Sequence, residues 1–205
     1  MTSPVTARDR AKAERSDAIL RAAARLFAER GYTGVSLEDI GAAVGVSGPA
    51  VYRHFAGKQA LLGAVLVKVS QDLVDGGARV ADTTASPDER MRALIRFHVD
   101  FALGNAEVIQ VQDRDVAHLS EGDRSEVRRL QRIYIESWMA ALHRVHDETG
   151  DASSSDDREE LRLRVQACFG LINSTPHSTR TAARRHAATA SVLVAMADAA
   201  LRAPS

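Results

Sequence analysis

Apolar residues recur three and four positions apart along almost the whole of this 205-residue chain, and the alternation a half-buried strand requires is missing. Ile19, Leu20, Ala23, Leu26 and Phe27 form one such stripe, closed by Gly31 in a C-cap position. Ser36, with Asp39 three residues on, is the capping-box pattern; it opens a second helix with Ile40 and Val44 inward, ended by Gly45. A third, very short helix lies in GVSGPAVYRHF, residues 45–55. Leu61, Leu62, Val65, Leu66, Val69 and Leu73 mark a longer helix over about 58–80. Pro87, Asp88 and Glu89 open the next, through Met91, Leu94, Ile95, His98 and Phe101. AEVIQVQDRDV is a short helix, and LSEGDRSEV starts a long one through Leu130, Ile133, Ile135, Trp138, Leu142 and Val145. TGDASSSDD is a polar loop, and two final helices span 156–174 and 179–202, with Pro176 stopping the first. The pattern predicts an all-α chain of about nine helices. Residues 1–57 form a compact three-helix unit and 58–205 a larger bundle, bridged by the helix that starts at Lys58.

No run approaches the roughly 18 apolar residues of a membrane span, and the mixed-charge N-terminus MTSPVTARDRAKAERS is not a secretory signal. The one cysteine, Cys168, excludes an internal disulfide and reads as a small buried apolar residue in a reducing cytoplasm. Net charge is zero, but its distribution is uneven. Residues 1–60 carry nine bases and six acids, residues 61–120 six bases and nine acids. A basic N-terminal segment beside an acidic middle points to an anionic partner for the first sixty residues.

Two short helices with the tight turn AAVGVSG between them match a helix-turn-helix, whose second helix enters the DNA major groove. Ser47 is a suitable N-cap, its hydroxyl placed to accept from the Ala50 amide, and Pro49 lies in the first turn, where its missing N–H costs little. At 100° per residue, Val51 and Phe55 share the inner side while Pro49 and Arg53 face outward. Arg53 can donate two hydrogen bonds to guanine O6 and N7, and the Pro49 ring and Ala50 methyl suit thymine methyl groups. Tyr52, His54 and Lys58 lie where phosphates would pass, and Ser36 offers a hydroxyl and a helix N-terminus to another.

The run from Ala18 to Leu62 resembles the N-terminal DNA-binding domain of the TetR family of transcriptional regulators. The resemblance rests on Phe27, Gly31-Tyr32, Ser36, Asp39-Ile40, Gly45-Val46-Ser47, Tyr52-Arg53-His54-Phe55, and Lys58 with Leu61-Leu62. It implies backbone contacts from Ser36, Ser47, Tyr52, His54 and Lys58, and groove-facing positions at Gly48, Pro49 and Arg53. Many members carry a basic residue where Gly48 stands and a glycine or small polar residue where Pro49 stands. This departure shifts direct readout towards Arg53. The resemblance further implies a repressor that binds a palindromic operator as a homodimer, paired through its last two helices in a four-helix bundle. For that bundle the sequence offers Leu161, Val165, Cys168, Phe169 and Ile172, then Ala183, Ala187, Ala190, Val194, Ala197 and Leu201, each equally at home in the chain's own core.

An effector pocket would lie between the middle helices, with Phe97, Phe101, Ile109, Trp138 and Phe169 as apolar walls and His98, Gln110, Arg114, Asn173 and His177 as polar groups. Such a mix suits a small amphipathic ligand; an acyl thioester is one candidate by family analogy. Each aromatic is equally at home in ordinary core, and Arg114 is flanked by Asp113 and Asp115, which favour a salt bridge over a ligand contact. His143 and His146, with Asp147 and Glu148, read as a solvated helix face rather than a metal site. There is no nucleophile elbow, phosphate loop or zinc motif, so neither enzyme activity, a metal nor a cofactor is expected. The alternative is a helical small-molecule-binding or catalytic protein that retains a helix-turn-helix without binding an operator.

Overall fold

The first two helix starts in the N-terminal unit are set by a side chain that captures an amide the helix cannot bond itself. In the computed structural model, which describes residues 6–83, 86–149, 158–178 and 183–203, Thr6 caps α1 (Ala7–Arg30) through a capping box with Asp9. Gly31, at φ 77°, ends α1 by returning its N–H to the Phe27 carbonyl at 2.8 Å. Ser36 caps α2 (Leu37–Ala43) in the capping box expected with Asp39. Gly45, at φ 70°, makes the turn into α3 (Gly48–Tyr52). Then follow α4 (Lys58–Thr83), α5 (Pro87–Gly104), α6 (Ala106–Asp115), a 3₁₀ turn (Val116–His118), α7 (Glu121–Thr149), α8 (Arg158–Ser178) and α9 (Ala183–Leu201). Among the described residues there are nine α-helices and no strand.

Two departures from expectation are local. The Ser47 hydroxyl makes no capping bond; the Ala50 amide is taken by the Ser47 main-chain carbonyl at 2.9 Å instead. And α8 runs past Pro176 to Ser178, although proline there can give no N–H to the carbonyl four residues back. The TGDASSSDD loop, apart from Thr149, lies outside the described residues.

Two apolar cores result. The smaller joins Ile19, Ala23, Phe27, Ile40, Val51, Leu61, Leu62 and Leu66 to Val108 and Val111 of α6 and Leu119 and Val127 beyond it. The larger gathers α5, α7, α8 and α9 around Trp138, with Leu73, Val74 and Val80 of α4 packed against it. The apolar stripe of α8 and α9 expected to meet a second copy faces this chain's own core instead. Leu161, Val165, Cys168, Ile172, Ala197 and Leu201 are buried there, and Phe169, Ala190 and Val194 pack against it. The cause is that α5 packs against both helices and α7 against α8, and together they take that face. Ala187 is exposed, and the Ala183 side chain lies outside the described residues. The outward faces carry Leu163, Val192 and Met196, exposed by 66%, 57% and 51%.

Gly41 lets α2 and α3 meet. A Cβ there would stand 2.8 Å from the Val46 carbonyl oxygen and 3.3 Å from Val51 Cγ2. The oxygen belongs to the turn's backbone and cannot rotate away. We expect Gly41→Ala to cost about 1–3 kcal/mol by overpacking, read as a lower urea midpoint at unchanged slope; an unaltered midpoint would show that the turn yields freely.

Candidate nucleic-acid interface and effector pocket

The five residues of α3 and those just after it divide by side. Val51 is fully buried, with Phe55 half-buried against the same core. Pro49, Tyr52 and Arg53 are exposed and His54 is half-exposed, its ring 6.3 Å from that of Phe55. Among the described residues the Arg53 side chain has no hydrogen-bond or ion-pair partner. Gly48 does not face outward as the resemblance implied: it is buried, and a Cβ there would meet Glu38 Oε1 of α2 at 3.1 Å. A larger residue at this position would require the exposed Glu38 side chain to shift by a few tenths of an ångström.

A surface groove of about 490 Å³ runs beside α3, lined by residues 33–39 together with Tyr52 and Lys58. It contains the capped α2 N-terminus, where Ser36 Oγ lies 2.6 Å from Asp39 Oδ2. That hydrogen bond holds the Asp39 carboxyl below its ordinary range, so it stays an anion. Lys58 closes the groove: its Nζ donates to the Val35 carbonyl at 2.9 Å and sits 4.5 Å over the Tyr32 ring. The structure thus gives Lys58 an internal tether at the very place where a phosphate contact was expected. Tyr32 also stacks on His118, at 4.5 Å and 20°, and Gln59 donates to the His118 carbonyl at 3.0 Å.

The middle helices line a half-open cavity of about 130 Å³. Its polar lining is Ser70, His98, Gln112, Gln131, Tyr134 and Asn173; its apolar lining is Leu73, Ile135 and Phe169. Of the residues expected to bind a ligand, His98, Phe169 and Asn173 line it. Trp138 and Phe101 stand just behind, their rings 5.7 and 6.5 Å from that of His98. Ile109 is buried in the larger core, and Phe97 packs on Gly76 of α4, where a Cβ would lie 2.0 Å from its Cζ. Gln110 is half-buried outside the lining, and the His177 side chain lies outside the described residues.

Arg114 is also absent from the lining. It pairs with the buried Asp115 at 2.9 Å and donates to the Phe27 and Ala28 carbonyls at the end of α1. The salt bridge favoured by its sequence neighbours therefore forms, and it ties α6 to α1. Sequence reasoning missed Gln112, although it lies three residues beyond Ile109 and shares its helix face. Ser70, Gln131 and Tyr134 had no signal of their own. His143 Nδ1 lies 2.9 Å from Asp147 Oδ2, and the described residues contain no cluster able to hold a metal ion.

His98 is the electrostatic centre of the cavity. Its ring stacks on Phe169 at 4.4 Å and 21°, and its Nδ1 shares a 3.3 Å hydrogen bond with the Tyr134 hydroxyl. Its Nε2 and the Trp138 Nε1 are buried and make no well-aligned hydrogen bond, although Asn173 lies near the imidazole and Trp138 near the Tyr134 hydroxyl. Burial pushes the imidazole down to about 4, against an opposing contribution from Asn173, so the ring is neutral at pH 7. Burial likewise raises the Tyr134 hydroxyl and pushes the Cys168 thiol up to about 12, leaving both protonated.

Comparison with known proteins accords with these two parts. Residues 19–65 match the bacterial regulatory proteins of the tetR family, and residues 84–177 match a tetracyclin repressor-like C-terminal domain. The chain is 36% identical over 88 residues to the HTH-type transcriptional activator FasR of Mycolicibacterium smegmatis, over 43% of this chain and 40% of that one. It therefore spans only two fifths of that relative's length. It is 25% identical over 176 residues to the HTH-type transcriptional repressor KstR2 of Rhodococcus jostii, over 85% and 82% of the two chains. The crystal structure of the TetR-family regulator PfmR from Thermus thermophilus superposes with a TM-score of 0.76 at 26% identity, over 91% of this chain and 98% of that one.

The neutral His98 makes folding pH-dependent with a defined sign. An unfolded histidine binds a proton below about 6.5, whereas the folded one resists it down to about 4. Between these values the unfolded state holds the extra proton, so stability falls as pH falls and levels off below about 4. The full effect is about 3 kcal/mol. We expect His98→Gln to flatten the stability profile between pH 6.5 and 4.5, followed by urea unfolding; a variant retaining the wild-type slope would assign it to other groups.

Proposed function

The chain belongs to the TetR family of bacterial regulators, and on that premise we propose that it is a ligand-responsive, DNA-binding transcriptional regulator, a repressor released from a palindromic operator by a small molecule. Residues 1–57 read DNA; residues 58–205 bind the effector and pair with a second copy. The observation that carries this reading is the outer face of α3. A cation with no internal partner stands on a short helix pinned from behind by the buried Val51. Arg53 reads a guanine edge, Pro49 packs on a base, and Ser36, Ser47, Tyr52 and His54 hold the phosphate backbone. Lys58 adds charge to the groove while fixing α4 to the turn before α2. Such a regulator works in the cytoplasm; among the described residues no helix is long and apolar enough to cross a membrane.

Dimerisation uses the outward faces of α8 and α9. Leu163, Ala167 and Gly170 lie at exposed positions on one, and Ala188, Val192, Met196 and Ala199 on the other. Small residues between large ones let helices approach closely, and water exclusion from three large exposed side chains drives the association. Met196→Glu places a charge in that face. We expect it to move the protein towards monomer in sedimentation velocity; a sedimentation coefficient independent of this substitution would place the dimer interface elsewhere.

The effector acts by preferring one arrangement of the two reading heads. Tenfold weaker DNA binding requires about 1.4 kcal/mol of differential affinity. Two connections are available for it. Ser70 and Leu73 in the cavity lie on α4, whose first turn is tied to Val35 and Tyr32. Gln112 in the cavity lies two residues before Arg114, which grips the end of α1. The direct test is a gel shift of the protein against the DNA upstream of its own gene. Retention of a palindromic fragment supports the reading, and Arg53→Ala should then relax preference at one base pair, losing about 1–3 kcal/mol of discrimination. Failure to retain any upstream fragment would favour a helical ligand-binding protein with an idle helix-turn-helix.

A further inference from the structure

Charge is missing from the walls of the effector cavity. Its lining is drawn from five helices, α4 to α8, and contains no Asp, Glu, Lys or Arg. All six polar lining groups are neutral at pH 7, including His98. Three of them, Gln112, Gln131 and Asn173, are carboxamides, each with donors and an acceptor to offer. The aromatic side of the cavity is ordered: the rings of His98, Tyr134 and Phe169 lie within 15–29° of parallel, with centroids 4.4–5.7 Å apart. The buried His98 Nε2 makes no well-aligned hydrogen bond. The volume, about 130 Å³, is close to that of an apolar cavity of about 150 Å³ that holds one benzene molecule.

We propose that the pocket takes a planar, uncharged, single-ring ligand whose edge carries an amide- or hydroxyl-type group, stacked on the His98–Tyr134–Phe169 wall and hydrogen-bonded by the carboxamides. This deepens the effector pocket assigned above and rests on that reading. An ionised ligand of the same size would lose its hydration without gaining a counter-ion. The 130 Å³ also holds no more than the tip of an acyl thioester.

The chain carries its own reporter, since its single tryptophan, Trp138, lies 4.8 Å edge-on from Phe169 and 5.7 Å from His98. The experiment is a fluorescence titration of the full chain with benzamide and with benzoate, which match in size and differ in charge. We expect benzamide to bind at least about tenfold more tightly than benzoate, reflecting the uncompensated buried charge. We also expect His98→Phe, or Gln131→Leu should the first not fold, to weaken benzamide several-fold. Equal or tighter binding of benzoate, no response to benzamide, or benzamide binding indifferent to both substitutions would overturn the proposal. Labelled upstream DNA in the same samples separates the two levels. If the DNA binds but the benzamide preference is missing, the ligand class is wrong and the regulator stands. If the DNA never binds, the regulator reading fails whatever the pocket holds.

Discussion

One helix belongs to two cores. α4 spans 26 residues, about 39 Å at the ordinary rise. Its first turns bury Leu61, Leu62, Val65 and Leu66 with α1, α2 and α3, and its later turns pack Leu73, Val74 and Val80 against the bundle. A packed helix moves as a unit, because interdigitated side chains permit few intermediate positions. A change in the bundle that shifts α4 must therefore move the reading head, or else break apolar contacts in one core. α6 repeats the arrangement on a smaller scale, with Val108 and Val111 in the smaller core and Ile109 in the larger.

The cavity lies on these shared elements. Ser70 and Leu73 come from α4, Gln112 from α6, and Gln131, Tyr134 and Ile135 from α7, which buries Val127 in the smaller core and Trp138 in the larger, so six of its nine lining residues belong to helices that join the two cores. Its chemistry is the opposite of that at the DNA face. The reading head presents Arg53 unpaired to solvent, while the pocket holds a histidine kept neutral by burial. Water screens and solvates the first; the second exists only because tertiary packing excludes water.

What can be read from the sequence follows the range of the interaction. The Ser36–Asp39 capping box spans four residues, and the Val51–Phe55 inner face follows from a single helical period, so both are legible. The Ser47 hydroxyl misleads because its own carbonyl competes for the Ala50 amide at the same distance along the chain. Gly48 misleads because Glu38, which covers it, sits on another helix. The amphipathic stripes on α8 and α9 are visible in the sequence, but a stripe does not say whether it meets its own chain or a second copy, and here α5 and α7 take it. In the pocket, His98, Phe169 and Asn173 stand out as polar or aromatic interruptions, whereas Ser70 and Gln131 are marked only by convergence of helices remote in sequence.

The proposed function requires two copies to hold their α3 helices at the spacing of adjacent major grooves. Spin labels at Ala56→Cys measure this directly, since residue 56 is exposed beside α3 and the native Cys168 is buried and unreactive. On operator DNA, double electron–electron resonance should give one narrow distance distribution matching half-sites one helical turn apart, about 34–36 Å. An absence of dipolar modulation, or a broad distribution that DNA does not change, would contradict that proposal.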